Sequence, residues 1–477
     1  MWDSDALRKP NHVSYTNVMA NIKFNEDSLM TKKTMTKGQI DRLGDKIREQ
    51  RNSIEELTLI ELQEYRTSHK ETLSLVFNAL CSTTRKITSD SIVTYRIKRF
   101  ESIIGKLSRY PDMKFSRMWD IGGCRCILRN DKEVYRLKEL IEKELTVRKV
   151  YDYIEKPQSE GYKSLHLFVC VPDDDKVIEV QLRNQQDHNW ATLVEITDLL
   201  FDAKLKEYGQ NEELLRFHFL LSKTSELTLY EKREIADITE KYDYFNKISG
   251  VFTRNYLQVR KQWLDIEDKP SHKFFLLETK KDEPPKIESF VKFNEAEDSY
   301  FNVYKGSDKA NIVLTHLPSP SYRNISMAYS NYILTVHSFQ DDLFTIIEGL
   351  VVDSLVASNY KLFLKYFNHY NNTVLTHVQN LFNEIISVSE YNNKTSKSHK
   401  SKRKRKEREW NKDIGRQISN RGYQFKRLQK EINSNWPKST FRKFIVTQII
   451  RISSFIHSRR LKRLIDKTES RLKGETK

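Results

Sequence analysis

Three short apolar runs limit what this chain can fold into: RMWDIGGCRCIL at 117–128, SLHLFVCV at 164–171 and KVIEVQLR at 176–183. The first reads as a turn entering a buried strand, where Gly122 and Gly123 let another backbone approach closely. The second and third are rich in strand-forming residues and are separated by the turn PDDDK, the pattern of a hairpin. In the third, Glu179 alternates with Ile178 and Val180, so it shares a strand face with Gln181 and Arg183. Burying an unpaired charge is costly, so Glu179 needs a partner. A metal ion, a role as base, and an ion pair with Arg183 would each meet that need.

Helical patterns surround these runs. Thr36 is a start signal for TKGQIDRLGDKIREQ, where Ile40, Leu43 and Ile47 recur at helical spacing. Residues 54–80 continue helically, with Leu57, Ile60, Leu62, Tyr65, Leu73, Leu75, Val76 and Leu80 available for a core. VYRLKELIEKEL is an amphipathic helix, and HNWATLVEITDLLF returns to helix after the hairpin. The predicted fold class is α/β, with a mixed sheet flanked by helices over 36–208, after an irregular 1–35. A helical connector is expected over 209–270. The runs KFFLLET, IESFVKF and NIVLTHL then predict a second small α/β domain, completed by helices, over 271–393.

Charge divides the chain unevenly. Residues 394–477 hold 27 Lys and Arg against 7 Asp and Glu, a net of +20, whereas the first 393 residues carry a net of −3. The asymmetry speaks of partners rather than of fold. The run KTSKSHKSKRKRKERE buries too little apolar surface to fold by itself, so the tail is expected to be partly disordered. After it, Phe444, Ile445, Ile449, Ile452, Phe455 and Ile456 recur at helical spacing and predict an amphipathic helix. RNA is the polyanion such a tail suits. Arg451 interrupts an apolar run of only about 13 residues, so a membrane helix is disfavoured. Lying on an anionic membrane surface, binding RNA or the ribosome, and capping the α/β domain stay open for this helix, the membrane surface being the least expected.

The N-terminal MWDSDALRKPNHVSY lacks the apolar stretch of a signal peptide, and a cytoplasmic setting is the default expectation. The four cysteines (Cys81, Cys124, Cys126, Cys170) offer no disulfide framework, and Cys124 and Cys126 share one strand face as core residues.

Several polar residues carry chemistry. On a helix Arg96 and Lys98 would lie ~200° apart. On an extended entry they share a face, and a following helix presents Lys106 and Arg109 together, one turn apart. Four such cations suit a polyphosphate, with the arginines also offering flat faces for stacking. Without that role they form a solvated basic face. Asp120 precedes the glycine pair and is placed to hold Mg²⁺, which prefers one or two carboxylates plus substrate phosphates. In SEGYKSLH, Tyr162 follows a glycine and His166 lies four residues on. A tyrosine there can stack on a purine or simply anchor the loop. Neither a GxxxxGK[ST] loop nor a GxGxxG fingerprint occurs, so a nucleotide site would be of another type.

In order, RxK…SxxxK from Arg96, DIGGxR from Asp120, DYIxxP…GYxSLH and ExQxR from Glu179 resemble the synthetase domain of the RelA/SpoT family of alarmone synthetases. The likeness covers roughly residues 36–202 and implies a nucleotidyltransferase-like sheet. TKGQIDRLG, EYRTSH and HNWATLVEI resemble a subgroup with a longer C-terminal half. The family transfers the β,γ-pyrophosphate of ATP to the ribose 3′-hydroxyl of GTP or GDP with Mg²⁺. By resemblance, Arg96 and Arg125 sandwich adenine, while Lys98, Lys106 and Arg109 hold the ATP phosphates. Asp120 and Glu179 bind Mg²⁺, and Glu179 takes the 3′-hydroxyl proton. Tyr162 stacks on the acceptor base beside His166, with Gln181 and Arg183 completing the wall.

Two departures stand out. The family usually has Pro-Lys and Asn-Gly in the acceptor loop, and here they are Pro157-Gln158 and Glu160-Gly161. Losing a cation and gaining an anion weakens the expectation of a guanine nucleotide relative to that of ATP. No His-Asp pair occurs, so a synthetase without the hydrolase half is expected. Two alternatives remain: a toxin-like member that pyrophosphorylates the 3′ end of tRNA, and a degenerate nucleotide sensor or RNA-binding protein.

Overall fold

In the computed structural model of the chain, the residues described are 35–472 apart from 52, 159, 173, 202–210, 224–226, 267–268, 280–282, 284, 307–310, 330–336 and 395–399. The irregular N-terminus expected over 1–35 and the start of the basic run therefore fall almost wholly outside the described residues. The chain divides into two compact units: 1–158, 163–188 and 269–329 form the first, and 159–162, 189–268 and 330–477 the second.

The first unit begins with α1 (Lys37–Glu49), α2 (Glu56–Thr67) and α3 (Lys70–Arg85). Thr36 caps α1 as its sequence suggests: its hydroxyl accepts from the Gln39 amide, while the Gln39 side chain accepts from the Thr36 amide at 2.8 Å. Such caps contribute about 1 kcal/mol. On α2 and α3 the buried residues are Leu59, Leu62, Tyr65, Leu73, Val76, Phe77 and Leu80. Leu57 and Leu75, expected in the core, are exposed instead. They lie off the 3.6-residue stripe that faces the sheet.

Next come β1 (Ile92–Ile97), α4 (Phe100–Arg109), β2 (Gly122–Leu128), α5 (Asp131–Glu144), β3 (Thr146–Asp152), β4 (Leu165–Cys170) and β5 (Ile178–Asn184). β4 and β5 pair antiparallel, as the hairpin pattern predicts. β5 also lies parallel to β2, which is antiparallel to β1. One face of these strands, with Val93, Tyr95, Cys124, Cys126, Leu165, Leu167, Val169, Val180 and Leu182, packs with Leu73, Val76, Phe77 and Leu80 of α3 in one core. All four cysteines are buried and free. Each fully buried aliphatic or Phe side chain in such a core contributes ~1.5–3 kcal/mol.

α6 (Gln185–Phe201) follows directly on β5, and the stretch expected as a connector holds α7 (Glu212–Ser222), α8 (Leu229–Lys241) and α9 (Tyr244–Ile266), which belong to the second unit. The chain then makes β6 (Phe274–Thr279), β7 (Lys286–Phe290), α10 (Phe293–Gly306) and β8 (Asn311–His316). The second small α/β domain expected here does not form a sheet of its own. β8 pairs antiparallel with β1 through Val93, Thr94 and Tyr95, giving one mixed sheet of eight strands ordered β3-β4-β5-β2-β1-β8-β6-β7. The three strand-forming runs do pair with one another, β6 antiparallel to both β7 and β8, but the other edge of β8 is taken by the open edge of β1. Tyr95 donates to Glu297 at 3.1 Å and the Ile97 amide donates to the Tyr300 hydroxyl at 2.9 Å, fixing α10 to β1.

After α11 (Tyr322–Ala328), the second unit is built from α7, α8, α9, the later part of α6, and α12 (His337–Val356), α13 (Tyr360–Lys394), α14 (Lys400–Ser434) and α15 (Thr440–Leu472). Its core joins Phe217, Ile235, Tyr244, Leu343, Phe363, Leu428 and Val446. The basic run, expected not to fold by itself, is helical from Lys400. Residues further along anchor it: Trp410 is buried and donates to Glu384, Arg427 pairs with Glu348, and Arg421 pairs with Asp341 at 2.6 Å. Among the described residues no helix is long and apolar enough to cross a membrane.

Candidate active site

Cross-strand partners in a sheet point to the same face. Arg96 on β1 is opposite Gly123, Gly123 is opposite Glu179, Arg125 is opposite Gln181, and Gln181 is opposite His166. The polar residues of four strands therefore share the face turned away from the α3 core. The glycine at 123 keeps the position between Arg96 and Glu179 clear of a side chain.

Asp120 sits just before β2. Lys98, one residue past β1, reaches it at 2.7 Å, and Lys106 from α4 at 3.0 Å. The backbone sets this up, since the Lys98 amide donates to the Ile121 carbonyl at 2.8 Å. Burial alone would raise the Asp120 carboxyl, but the two ammonium groups outweigh it and hold it at about 2. Burial lowers Lys98 below its ordinary value, against the pull of Asp120. Arg109, one turn beyond Lys106, is half-buried on the same helix. The extended entry and cationic helix read from the sequence are therefore as expected.

Glu179 has a different escort. Its carboxylate meets His166 Nδ1 at 3.0 Å and accepts from Gln181 Nε2 at 3.0 Å. Burial pushes its carboxyl up, but His166 and Arg96 act the other way and it lies below the usual carboxylate range. The negative charge of Asp120 also acts on Glu179, so the two carboxylates share one field. Gln181 accepts in turn from Arg125 Nε at 3.3 Å and from Arg183 at 3.2 Å. Arg183 is buried and also donates to Ser164 at 3.4 Å. The partner of Glu179 is thus His166 and Gln181 rather than Arg183.

Of the predicted set, Arg96, Lys98, Lys106, Arg109, Asp120, Arg125, His166, Glu179, Gln181 and Arg183 all lie in the first unit. Tyr162 does not. It belongs to the second unit, where its ring tilts against Trp190 at 6.4 Å between centroids. The neighbouring Gly161 has φ +92°, and a Cβ there would lie 1.9 Å from the Ser222 hydroxyl.

The sequence reading missed the aromatic edge of this face. Tyr151 is opposite His166 on β3 and stacks with Tyr153 at 5.8 Å, and Tyr153 meets the His166 ring edge-on at 5.3 Å. Trp119 tilts against Phe168 at 5.7 Å. The signal was available in part, since Tyr151 and Tyr153 are two residues apart in sequence, Tyr151 near the end of β3 and Tyr153 just past it. Across the face, cations lie toward β1, carboxylates in the middle and aromatics toward β3.

Residues 95–198 match the family model described as a region found in RelA / SpoT proteins. The matched stretch coincides with the strands and loops that carry the polar face. The GTP pyrophosphokinase YwaC of Bacillus subtilis is 34% identical over 112 residues, and YjbM of the same organism is 29% identical over 125 residues. A guanosine-3′,5′-bis(diphosphate) 3′-pyrophosphohydrolase of Borreliella burgdorferi is 32% identical over 96 residues. These matches take in 20%, 24% and 20% of this chain, and 53%, 59% and 14% of those relatives. Among solved structures, small alarmone synthetase 1 of Bacillus subtilis bound to its product pppGpp is 20% identical, with 39% of this chain and 97% of that chain covered at a TM-score of 0.31.

Proposed function

We propose that the RelA/SpoT region is an ATP-dependent pyrophosphotransferase that moves the β,γ-pyrophosphate of ATP to the 3′-hydroxyl of GTP or GDP, making a (p)ppGpp-type alarmone. One observation carries this reading: two carboxylates act on one another across the site, Asp120 held by two lysines and Glu179 by His166 and Gln181. Phosphoryl-type transfer needs positioned cations, a metal site and a base, and little covalent help from the protein.

In this reading Arg96 and Arg125 flank the adenine, and Lys98, Lys106 and Arg109 hold the ATP phosphates. Asp120 and Glu179 fit Mg²⁺, which binds through one or two carboxylates and takes its remaining ligands from phosphates and water. When bound, Mg²⁺ supplies charge neutralisation on the transferring group. The 3′-oxygen of the acceptor attacks the β-phosphorus of ATP. The bond from that phosphorus to the α,β-bridging oxygen breaks, and AMP leaves with the oxygen. Glu179 accepts the hydroxyl proton, and its depressed pKa keeps it ionised and ready at neutral pH. Tyr162 as the acceptor-base platform, and acceptor-side roles for His166, Gln181 and Arg183, are carried over from the family motif. A cytoplasmic setting, where ATP and GTP are at hand, goes with this reading.

The test is a transfer assay with γ-labelled ATP and Mg²⁺, offering GDP, GTP, ATP and deacylated tRNA in parallel, with Glu179→Ala as control. Label on a guanine nucleotide that disappears in the variant supports the proposal. Label on tRNA alone, or on none of the acceptors, overturns it.

A further inference from the structure

The C-terminal helix α15 leaves an apolar stripe uncovered. Phe441, Phe444, Ile452 and Phe455 are 71%, 61%, 57% and 56% exposed, whereas Val446 and Ser453 of the same helix are buried. At ~100° per residue the four exposed groups fall within about 80° of one another, roughly opposite the buried pair. Large apolar side chains gathered on one side mark an interaction surface rather than scattered surface residues.

The helix is not free to roll this stripe inward. Ser453 donates to Asn368 at 2.6 Å and accepts from Asn371 at 3.1 Å. His457 and Arg460 both reach the Asn372 side-chain oxygen, at 3.0 and 3.1 Å, and Arg442 reaches the Ser358 hydroxyl at 3.3 Å. These polar contacts with α13 and the turn before it fix the rotation of α15 about its axis. Among the described residues nothing covers the stripe.

We propose that this stripe docks onto an anionic lipid surface, with α15 lying along the headgroups. Along residues 441–456 Arg451 is exposed within ~20° of Phe444 at the edge of the stripe, and Lys443 is exposed ~100° from Phe444 on the same side, while Arg442 is turned toward Ser358. The Arg459 guanidinium lies over the Phe455 ring at 4.3 Å, and Lys462 and Arg463 beyond it are exposed, giving a basic continuation of the same helix. An apolar centre with a cationic rim is the pattern of an interfacial helix, whose apolar groups enter below the headgroups while cations meet the phosphates. Arg451, which argues against a spanning segment, is in place at such a rim. A nucleic acid is disfavoured because its phosphates would meet Phe and Ile first. A second copy is disfavoured because two stripes face to face would crowd like charges from segments of net +20.

The experiment uses the full chain and vesicle sedimentation, comparing phosphatidylcholine vesicles with vesicles in which a third of the lipid is phosphatidylglycerol. Wild type is expected to bind the anionic vesicles at least about tenfold more tightly, and Phe444→Ser/Phe455→Ser to lose that advantage. Phe455→Trp keeps the bulk and should bind as well as wild type, and unchanged helical circular dichroism of the double variant separates surface loss from misfolding. A chain that binds neither vesicle type, or binds equally with the double substitution, overturns the proposal. Binding of a single-stranded RNA oligonucleotide that depends on Phe444 and Phe455, without vesicle binding, also overturns it and makes α15 a nucleic-acid surface.

Discussion

His166 Nδ1 lies 3.0 Å from Glu179 Oε1, although the two are not direct partners in the sheet: His166 is opposite Gln181, and Glu179 is opposite Phe168. The contact runs diagonally between β4 and β5, within reach of long side chains on one face. Burial raises the Glu179 carboxyl and His166 is the largest influence lowering it. Replacing His166 by Ala should therefore let Glu179 rise, so that its ionised form is lost at a higher pH. The expected outcome is an acid limb of kcat displaced upward and a loss of about tenfold or more at neutral pH. A pH–rate profile whose acid limb does not move would separate His166 from the titration of Glu179.

Gln181 is the bridge between the cationic and acidic halves of the face. It accepts from Arg125 and Arg183 and donates to Glu179. Gln181→Ala frees Arg125 and Glu179 to move, and displacements of about 1 Å at a reacting group can cost ~100-fold. The expected result is a drop of ~10- to 100-fold in kcat. The thermal midpoint should change little, because the core beneath the strand is untouched. Transfer rates and melting curves on the same preparation check both.

Asp120 is engaged by both Lys98 and Lys106. A divalent cation arriving alone must displace two ammonium groups, whereas ATP phosphates give those lysines other partners. Mg²⁺ by itself should therefore bind weakly, and a non-hydrolysable ATP analogue should strengthen its binding by at least about tenfold, as read by calorimetry. In Asp120→Asn that enhancement should disappear.

His69 and His316 are buried in the first unit, and burial lowers each from 6.5 to about 4. Arg85 and Lys273 lower His316 further, whereas the Tyr65 carbonyl partly restores His69. The unfolded chain takes up these protons near pH 6.5 and the folded chain does not until about 4. The stability contribution is thus complete above pH 6.5 and is lost as pH falls from there toward 4. At ~1.4 kcal/mol per pH unit for each group, the combined loss is on the order of a few kcal/mol. Urea unfolding at pH 7 and pH 5 should show it, and His316→Asn should flatten the dependence.

Local pattern determined much of this protein. Period-two alternation put Glu179, Gln181 and Arg183 on one strand face, and an extended entry followed by a helix brought Lys98 and Lys106 together on Asp120. Helix starts such as Thr36 were equally legible, because capping is a relation between residues three apart. Tertiary structure decided what depends on partners distant in sequence. The strands β6 to β8 looked like a separate domain until β8 paired with β1, more than two hundred residues earlier, since strand edges carry no label of their mates. Glu179 found His166 and Gln181 rather than Arg183 because the sheet order set β4 beside β5. The apolar positions of α15 were visible as a helical period, but only packing showed which face was taken. Burial is a property of what lies opposite a side chain, and that neighbour is chosen by the whole fold.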